Sequence, residues 1–279
     1  MELRRTVFAT VILAVIGSLL WGFWLEPASL RVEEVTLPLA WPYPRPLRVA
    51  VVSDLHVGSP YQSIGHLREV VDRINETQPD LVCLLGDFVT VGVIGGHFAR
   101  PEDIARELSR LRAPAGVVAV LGNHDRALGA RRVQRALSAV GVRVLEDTAV
   151  RLSAPSGPVW IAGISDFWTA RHDVSRALLN VLDSVTPVLA ITHNPDVFPE
   201  VPARVLLTLA GHTHGGQVRF PLIGAPIIPS EYGRRYAAGT VVESGRHLFV
   251  STGVGTSGIP VRFGVPPTIF LVTVRARHQ

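Results

Sequence analysis

His212 and His214 stand one residue apart in Ala210-Gly-His-Thr-His-Gly-Gly-Gln217. In an extended segment two imidazoles so spaced point the same way, and Gly211, Gly215 and Gly216 let the backbone turn tightly around whatever the rings hold. Surface histidines in a glycine-rich turn satisfy the same pattern, so the rest of the chain must decide. Asp54-Leu-His56, Gly86-Asp87, Gly122-Asn123-His124-Asp125 and His193-Asn-Pro195 supply further donors. Asp54, His56, Asp87, Asn123, His193, His212 and His214 make seven oxygen and nitrogen donors with no thiolate among them. That is too many for one ion and fits two five- or six-coordinate divalent ions sharing a carboxylate, with water or hydroxide between them. Imidazole with carboxylate and amide favours manganese, iron or zinc over calcium or magnesium. Any one of these aspartates alone reads more simply as a helix cap or turn former.

The elements that position them share one rule. Leu47 to Ser53 is a β-branched apolar run that ends on Asp54, and Asp80 to Leu85 ends on Gly86-Asp87. Gly116 to Leu121 ends on Gly122-Asn123, Pro187 to Thr192 on His193, and Val205 to Leu209 on the histidine corner. Strands are also expected over Val142 to Leu145, Thr148 to Leu152, Val159 to Ile164, His247 to Ser251 and Thr268 to Val274. Helical spacing between them places Ile64, Leu67, Val70, Val71 and Ile74 on one face of a helix from Gln62 to Thr77. Further helices are expected over Pro101 to Arg112, Arg131 to Val140 and Val174 to Leu182. Strands alternating with helices make an α/β fold, in which loops at the carboxyl ends of strands form the ligand crevice. Five polar clusters, all at such ends, are expected to converge.

The chain of 279 residues carries a formal charge of +4, and its 27 basic residues are all arginine. They are spread along the sequence, with Arg131, Arg132 and Arg135 as the densest group, so specific nucleic-acid binding is not expected, and no protein partner is indicated. The single cysteine, Cys83, lies in an apolar run and reads as a buried small hydrophobe. Thr6 to Leu25 has no formal charge and is long enough to cross a bilayer as a helix. With Arg4 and Arg5 before it and Glu26, Glu33 and Glu34 after it, the positive-inside rule puts residues 1–5 in the cytoplasm and the rest outside. A cleaved signal peptide is the alternative, but the run is long for one and no clear cleavage site follows. Pro27, Pro38, Pro42, Pro44 and Pro46 make residues 26–46 an extended connector, and the domain is expected over 47–279.

From about Leu47 to Val274, Asp54-x-His56, Gly86-Asp87, Gly122-Asn-His-Asp125, His193 and Gly211-His-Thr-His214 occur in the order and kind of the calcineurin-like metallophosphoesterases, which this sequence resembles. Gly211 to Gln217 and Ser251-Thr-Gly-Val-Gly-Thr256 look like the membrane-attached bacterial branch, which is similar to phosphodiesterase and UDP-2,3-diacylglucosamine pyrophosphatase-like proteins. The resemblance implies a four-layer α/β/β/α sandwich behind one N-terminal transmembrane helix, placed in a bacterial cell membrane. It implies two divalent ions, manganese first, one on Asp54, His56, Asp87 and His214 and the other on Asp87, Asn123, His193 and His212. Direct attack on phosphorus by a metal-bridging hydroxide would follow. His124 is then the expected source of the leaving-group proton, as an imidazolium next to Asn123. Many relatives carry an aspartate three residues after the bridging one, where this chain has Thr90, which leaves the orientation of His124 open.

Asp125 is expected to be structural or to tune His124, and Asp166 is a lesser site candidate. Arg234 and Arg235 can hold a substrate phosphate, though plain solvent exposure suits them as well. Pro221 to Pro229 is an apolar, proline-rich loop that suits core packing or a lip for acyl chains or the bilayer. His66, His97, His172, His247 and His278 carry no assigned role. The expected activity is hydrolysis of a phosphodiester or pyrophosphate of an amphiphilic substrate, including a UDP-diacylglucosamine-like lipid A precursor. That precursor faces the cytoplasm, which conflicts with the charge rule. A phosphatase or nuclease on soluble substrates shares every donor, and a metal-free scaffold of the same fold would show gaps in the donor set.

Overall fold

The structure is a computed structural model that describes residues 2–277; Met1, His278 and Gln279 lie outside that description. Its first element, α1 (Glu2–Leu20), continues into a π-helical turn at Trp21–Leu25. No residue of α1 is buried, so the helix is apolar all round without protein to cover it. Contact with the rest of the chain begins at Gly22, which is buried and whose carbonyl accepts the Arg262 N–H at 2.9 Å.

Residues 26–46 do not form a free connector. Arg31–Leu39 is β1, paired in parallel with the last strand, β12 (Thr268–Ala276). The prolines conceal this strand, but β1 is the edge of its sheet, where Pro38 can lack an N–H without breaking an inner ladder. The first sheet also holds β2 (Leu47–Val52), β3 (Leu81–Leu84), β4 (Val117–Ala119) and β5 (Arg143–Val144), in the order β1-β12-β2-β3-β4-β5. The second sheet holds β6 (Thr148–Ala154), β7 (Gly157–Ile164), β8 (Val188–Thr192), β9 (Val205–Ala210), β10 (Gly239–Glu243) and β11 (Arg246–Val250), in the order β10-β11-β9-β8-β7-β6. β10, a short edge strand, was not foreseen from sequence.

Side-chain alternation in the strands sorts the core into layers. Val49 and Val51 of β2 face Val159, Ile161, Leu189 and Leu207 of the second sheet, while Ala50 and Val52 face helices. Those helices are α2 (Ile64–Glu76), α3 (Pro101–Leu108) and α4 (Asn123–Ala139). Leu67, Val70, Val71 and Ile74 of α2 are buried, as its spacing predicts, and the Ser63 side chain caps it by accepting the His66 N–H. On the far side Val188 and Ala190 pack with α5 (Val174–Leu178) and a 3₁₀ turn at Pro195–Glu200. The result is the four-layer α/β/β/α sandwich, with Cys83 buried between the sheets.

Helix α4 begins at Asn123, well before the expected Arg131, and bends at Gly129. Its start matters most here, because the Asp125 carboxylate in the first turn accepts the Gly122 N–H at 2.9 Å and so fixes where Asn123 emerges.

Candidate metal centre

β2, β3, β4, β8 and β9 run parallel within their sheets, and each delivers its donor just past its carboxyl end. Five of the seven donors, Asp54, His56, Asp87, His212 and His214, have φ between 42° and 69°. Left-handed backbone costs a non-glycine residue about 1–2 kcal/mol, and its concentration in one place marks a site held against local preference. The histidine corner is therefore not extended. Its two rings diverge, His214 stacking against His56 and His212 meeting His193 edge-on.

His56 Nε2 and His214 Nε2 lie 3.2 Å apart, with Asp54 Oδ1 3.5 Å from the latter. His212 Nδ1 and His193 Nε2 lie 3.1 Å apart, with Asn123 Oδ1 3.0 Å from His193 Nε2. Asp87 Oδ2 stands between the two groups, 3.5 Å from His56 Nε2 and 3.4 Å from His193 Nε2. Candidate ligand atoms of Asp54, His56 and His214 all lie within 4.8 Å of one another, as do those of Asp87, His193 and His212. A third such group joins His56, Asp87 and His124.

The residues fit a pair of cations. The Nδ1 of His193 sits 2.8 Å from the Leu85 carbonyl, and donation there leaves a lone pair on Nε2, aimed at His212, Asn123 and Asp87. Lone pairs converging at 3 Å repel unless a positive charge lies among them. Asp54 Oδ1 is buried without a hydrogen-bond partner among the described residues. Burial lowers the pKa of His56 and of His212 to about 3 and that of His214 well below the ordinary value, so these rings are neutral and ready to donate lone pairs. Burial works in the same sense on His193, but the charge and hydrogen bond of Asp87 outweigh it and raise its pKa well above the usual value. Without metal, a proton on His193 is the cation of the second group. Burial also opposes the charge of Asp87, but His193 and His56 hold that carboxyl well below its ordinary pKa. Asp54, by contrast, is pushed up to about 6, chiefly by burial.

Two aspartates divide the labour here. Asp87 Oδ1 accepts the His124 N–H at 2.8 Å. Asp125 turns away from the centre and ties its loops together, Oδ2 accepting from Asp87 N (2.8 Å) and Gly122 N (2.9 Å), Oδ1 from Phe88 N (2.9 Å) and Val89 N (3.2 Å). Burial and the nearby Asp87 charge push Asp125 up to about 7 despite those donors. The loops approach so closely that a Cβ on Gly122 would lie 2.2 Å from Asp87 Oδ1.

His124 is oriented by backbone rather than by a carboxylate at position 90. The Val91 N–H donates to its Nδ1 at 3.0 Å, which puts the ring proton on Nε2, 3.3 Å from Ser257 Oγ. A ring protonated on both nitrogens gives up the Val91 bond, so proton transfer by the expected imidazolium requires that bond to open.

The lesser candidates separate. Asp166 is buried in a turn, where it accepts from the Thr169 N–H and hydroxyl, and its charge acts on His193. Arg235 pairs with Glu243 of β10 and lies over Tyr236. Arg234 donates to the Ala225 carbonyl and lines a cavity of about 130 Å³ behind the histidine corner with Arg219 and Gly215. Leu222, Ile223 and Ile227 are exposed, so the proline-rich loop is not core.

Sequence reasoning missed two charged groups. Arg262 is fully buried and donates to the carbonyls of Thr252, Gly255 and Val265, bracing the 251–256 loop. That loop seats the site, for Gly255 N donates to the Asp54 carbonyl at 2.6 Å. Glu26, also buried, accepts from Gly264 N (2.9 Å), Val265 N (2.6 Å) and the Trp21 indole. A lone charge in an apolar run, such as Arg262 in Ile-Pro-Val-Arg-Phe, was the available signal. Trp168, half-exposed with its ring edge-on to His212 at 4.3 Å, was also unforeseen.

Residues 47–216 match the family described as calcineurin-like phosphoesterase. The chain is 31% identical to the uncharacterized metallophosphoesterase YkuE of Bacillus subtilis, over 83% of this chain and 80% of that protein. It is 31% identical to phosphodiesterase YaeI of Escherichia coli, over 76% of each. It is 26% identical to the UDP-2,3-diacylglucosamine pyrophosphatase LpxG of Chlamydia trachomatis, over 76% of this chain and 77% of that protein. With donors of the kind that divalent metals require gathered where its strands end, the chain belongs to the calcineurin-like phosphoesterases and is a metal-dependent hydrolase.

Proposed function

We propose that this protein is a membrane-anchored, dinuclear hydrolase of phosphodiesters or pyrophosphates whose substrates are amphiphilic. The observation that carries the dinuclear reading is Asp87 Oδ2, set between two histidine pairs whose nitrogens meet at 3.2 and 3.1 Å. Asp54, His56, Asp87 and His214 would hold one ion, and Asp87, Asn123, His193 and His212 the other. When bound, such a pair activates water and neutralises the phosphoryl oxygens. Asp87 keeps its charge through its histidine neighbours and orients His124 through that residue's N–H. The Val91 N–H fixes the His124 ring with Nε2 toward the departing oxygen; a second proton taken on Nδ1 as that bond opens makes the imidazolium, which passes its Nε2 proton to the oxygen and returns to the neutral ring. The exposed, apolar α1 supports the anchor, and the pyrophosphatase named among the relatives supports an amphiphilic substrate that can include a UDP-diacylglucosamine-like lipid.

Purified full-length protein in detergent with manganese, screened against lipid and nucleotide diesters and pyrophosphates, tests this reading. Asp87→Ala is expected to lose metal and activity together. His124→Ala keeps its metal and loses about 10²–10⁴-fold in rate, the usual contribution of a general acid. Full-rate turnover of poor leaving groups by His124→Ala would overturn its role, and hydrolysis confined to soluble nucleotides would overturn the amphiphilic substrate.

A further inference from the structure

The anchor helix and the mouth of the metal centre are joined by one continuous strip of backbone. Gly22 at the helix exit packs on Val261, bonds to Arg262, and is locked by Glu26 to the N–H groups of Gly264 and Val265. The same segment pairs with the chain leaving the histidine corner, for Phe263 N donates to the Gln217 carbonyl (2.8 Å) and Arg219 N to the Phe263 carbonyl (2.7 Å). Beyond Arg219, Phe220 and Gly224 close a hairpin with Leu222 and Ile223 at its tip. Gln217 also binds the backbone of Ser257, whose hydroxyl touches His124, and Ile94 N donates to the neighbouring Gly258 carbonyl.

This strip is apolar and open. Leu222 is fully exposed, Ile227 77% exposed, Ile94 66%, Ile223 64% and Ile259 53%, and Trp24 and Leu25 at the helix end are exposed as well. Isolated apolar side chains on a surface need no explanation, but a run of them continuous with an apolar helix and rimming a catalytic mouth does. Another exposed group, Leu179, Leu182 and Val185, precedes β8 and so lies at the amino end of the second sheet, away from the donors.

We propose that the strip formed by residues 91–98, 218–228 and 257–264 sits in the headgroup–acyl boundary of the bilayer, so that the metal centre opens at the membrane surface. This rests on reading α1 as a membrane span. The occupant is lipid because the strip is continuous with that span and is fastened to it by buried hydrogen bonds rather than by a tether. Long aliphatic side chains beside an interfacial tryptophan are the composition such a boundary accepts. A substrate of two natures then keeps its acyl part in the membrane while its phosphate reaches the donors.

The test uses the full-length chain in phosphatidylcholine–phosphatidylglycerol vesicles. Cys83 is the sole cysteine and is buried, so Leu222→Cys, Ile259→Cys and Leu182→Cys each accept one environment-sensitive dye at a surface position. Flotation with the vesicles reports the anchor, and quenching by brominated acyl chains reports the strip. The dyes at 222 and 259 are expected to shift to the blue and lose most of their emission in brominated vesicles, while that at 182 keeps its emission. If the protein floats and the dyes at 222 and 259 behave as that at 182, the membrane-facing strip is wrong and the anchor stands. If the protein does not float, both are wrong, and manganese-dependent hydrolysis in the same samples reports separately on the catalytic reading.

Discussion

Replacing Asp125 by asparagine removes no volume and alters no candidate ligand, yet it is expected to damage both stability and metal affinity. The wild-type carboxylate accepts four buried backbone N–H groups, two on each oxygen. The new amide keeps two of them and turns an N–H₂ toward the other two, which are left unpaired against a donor. An unsatisfied buried N–H costs about 1–3 kcal/mol, so the pair costs about 2–6 kcal/mol. Set against a typical total of about 5–15 kcal/mol, that is a large share. At about 2–4 °C per kcal/mol for a domain of this size, the metal-free midpoint should fall by about 4–24 °C. The two orphaned groups include Asp87 N or its neighbours, so the bridging carboxylate shifts and manganese affinity should fall about 10–100-fold, as for other residues that orient ligands. Thermal unfolding followed by circular dichroism in chelator, together with manganese titration, measures both. A variant that melts within about 1 °C of wild type and binds manganese equally well would refute the claim that Asp125 ties the donor loops together.

Other consequences are as direct. Manganese affinity should rise with pH, because Asp54, with its pKa pushed up to about 6, holds a proton below that value and His193, raised well above its usual value, holds one beyond it. Each competing proton contributes about tenfold per pH unit below its pKa, so a flat binding profile between about pH 5 and 7 would contradict the protonation scheme. Gly253→Ala places a Cβ 2.7 Å from the Asp54 Cβ at φ +70°. It should cost about 1–3 kcal/mol and weaken metal binding, whereas Gly116→Ala, at φ +94° with open space around it, should cost only backbone strain and leave metal binding alone. Glu26→Ala leaves the Gly264 and Val265 N–H groups without their acceptor and should cost about 2–6 kcal/mol. Faster amide exchange confined to residues near 264 and 265 is the signature, and unchanged exchange there would count against the Glu26 lock.

The seven candidate donors that the structure brings together could be picked out in the sequence because metal ligation draws on rare residue types at one kind of place, the end of an apolar strand beside a glycine. Their burial and convergence follow from parallel strands delivering them to one edge. The identity of the partner that orients His124 was not legible, since Val91 acts through its backbone N–H and any residue but proline offers one. Strand β1 was hidden by its prolines, which are tolerated only because the strand lies at an edge, a fact of topology rather than of local sequence. Glu26 and Arg262 look like ordinary surface charges until the fold closes over them. The glycines of the histidine corner announced its tight turn, but not that His212 and His214 themselves take left-handed backbone, since histidine does not prefer it.

The pairing of the first strand with the last also sets an order of events as the chain is made. The second sheet draws on one uninterrupted stretch, β6 to β11, and can form while synthesis continues. The first sheet cannot, because β12 must arrive before β1 and β2 have a neighbour on that side. Until Thr268–Ala276 emerges, β1 waits with open edges beside the helix that precedes it. Loss of the final dozen residues would therefore strand the beginning of the chain, not only its end, and such products should be cleared by proteases rather than accumulate as slightly shortened enzyme.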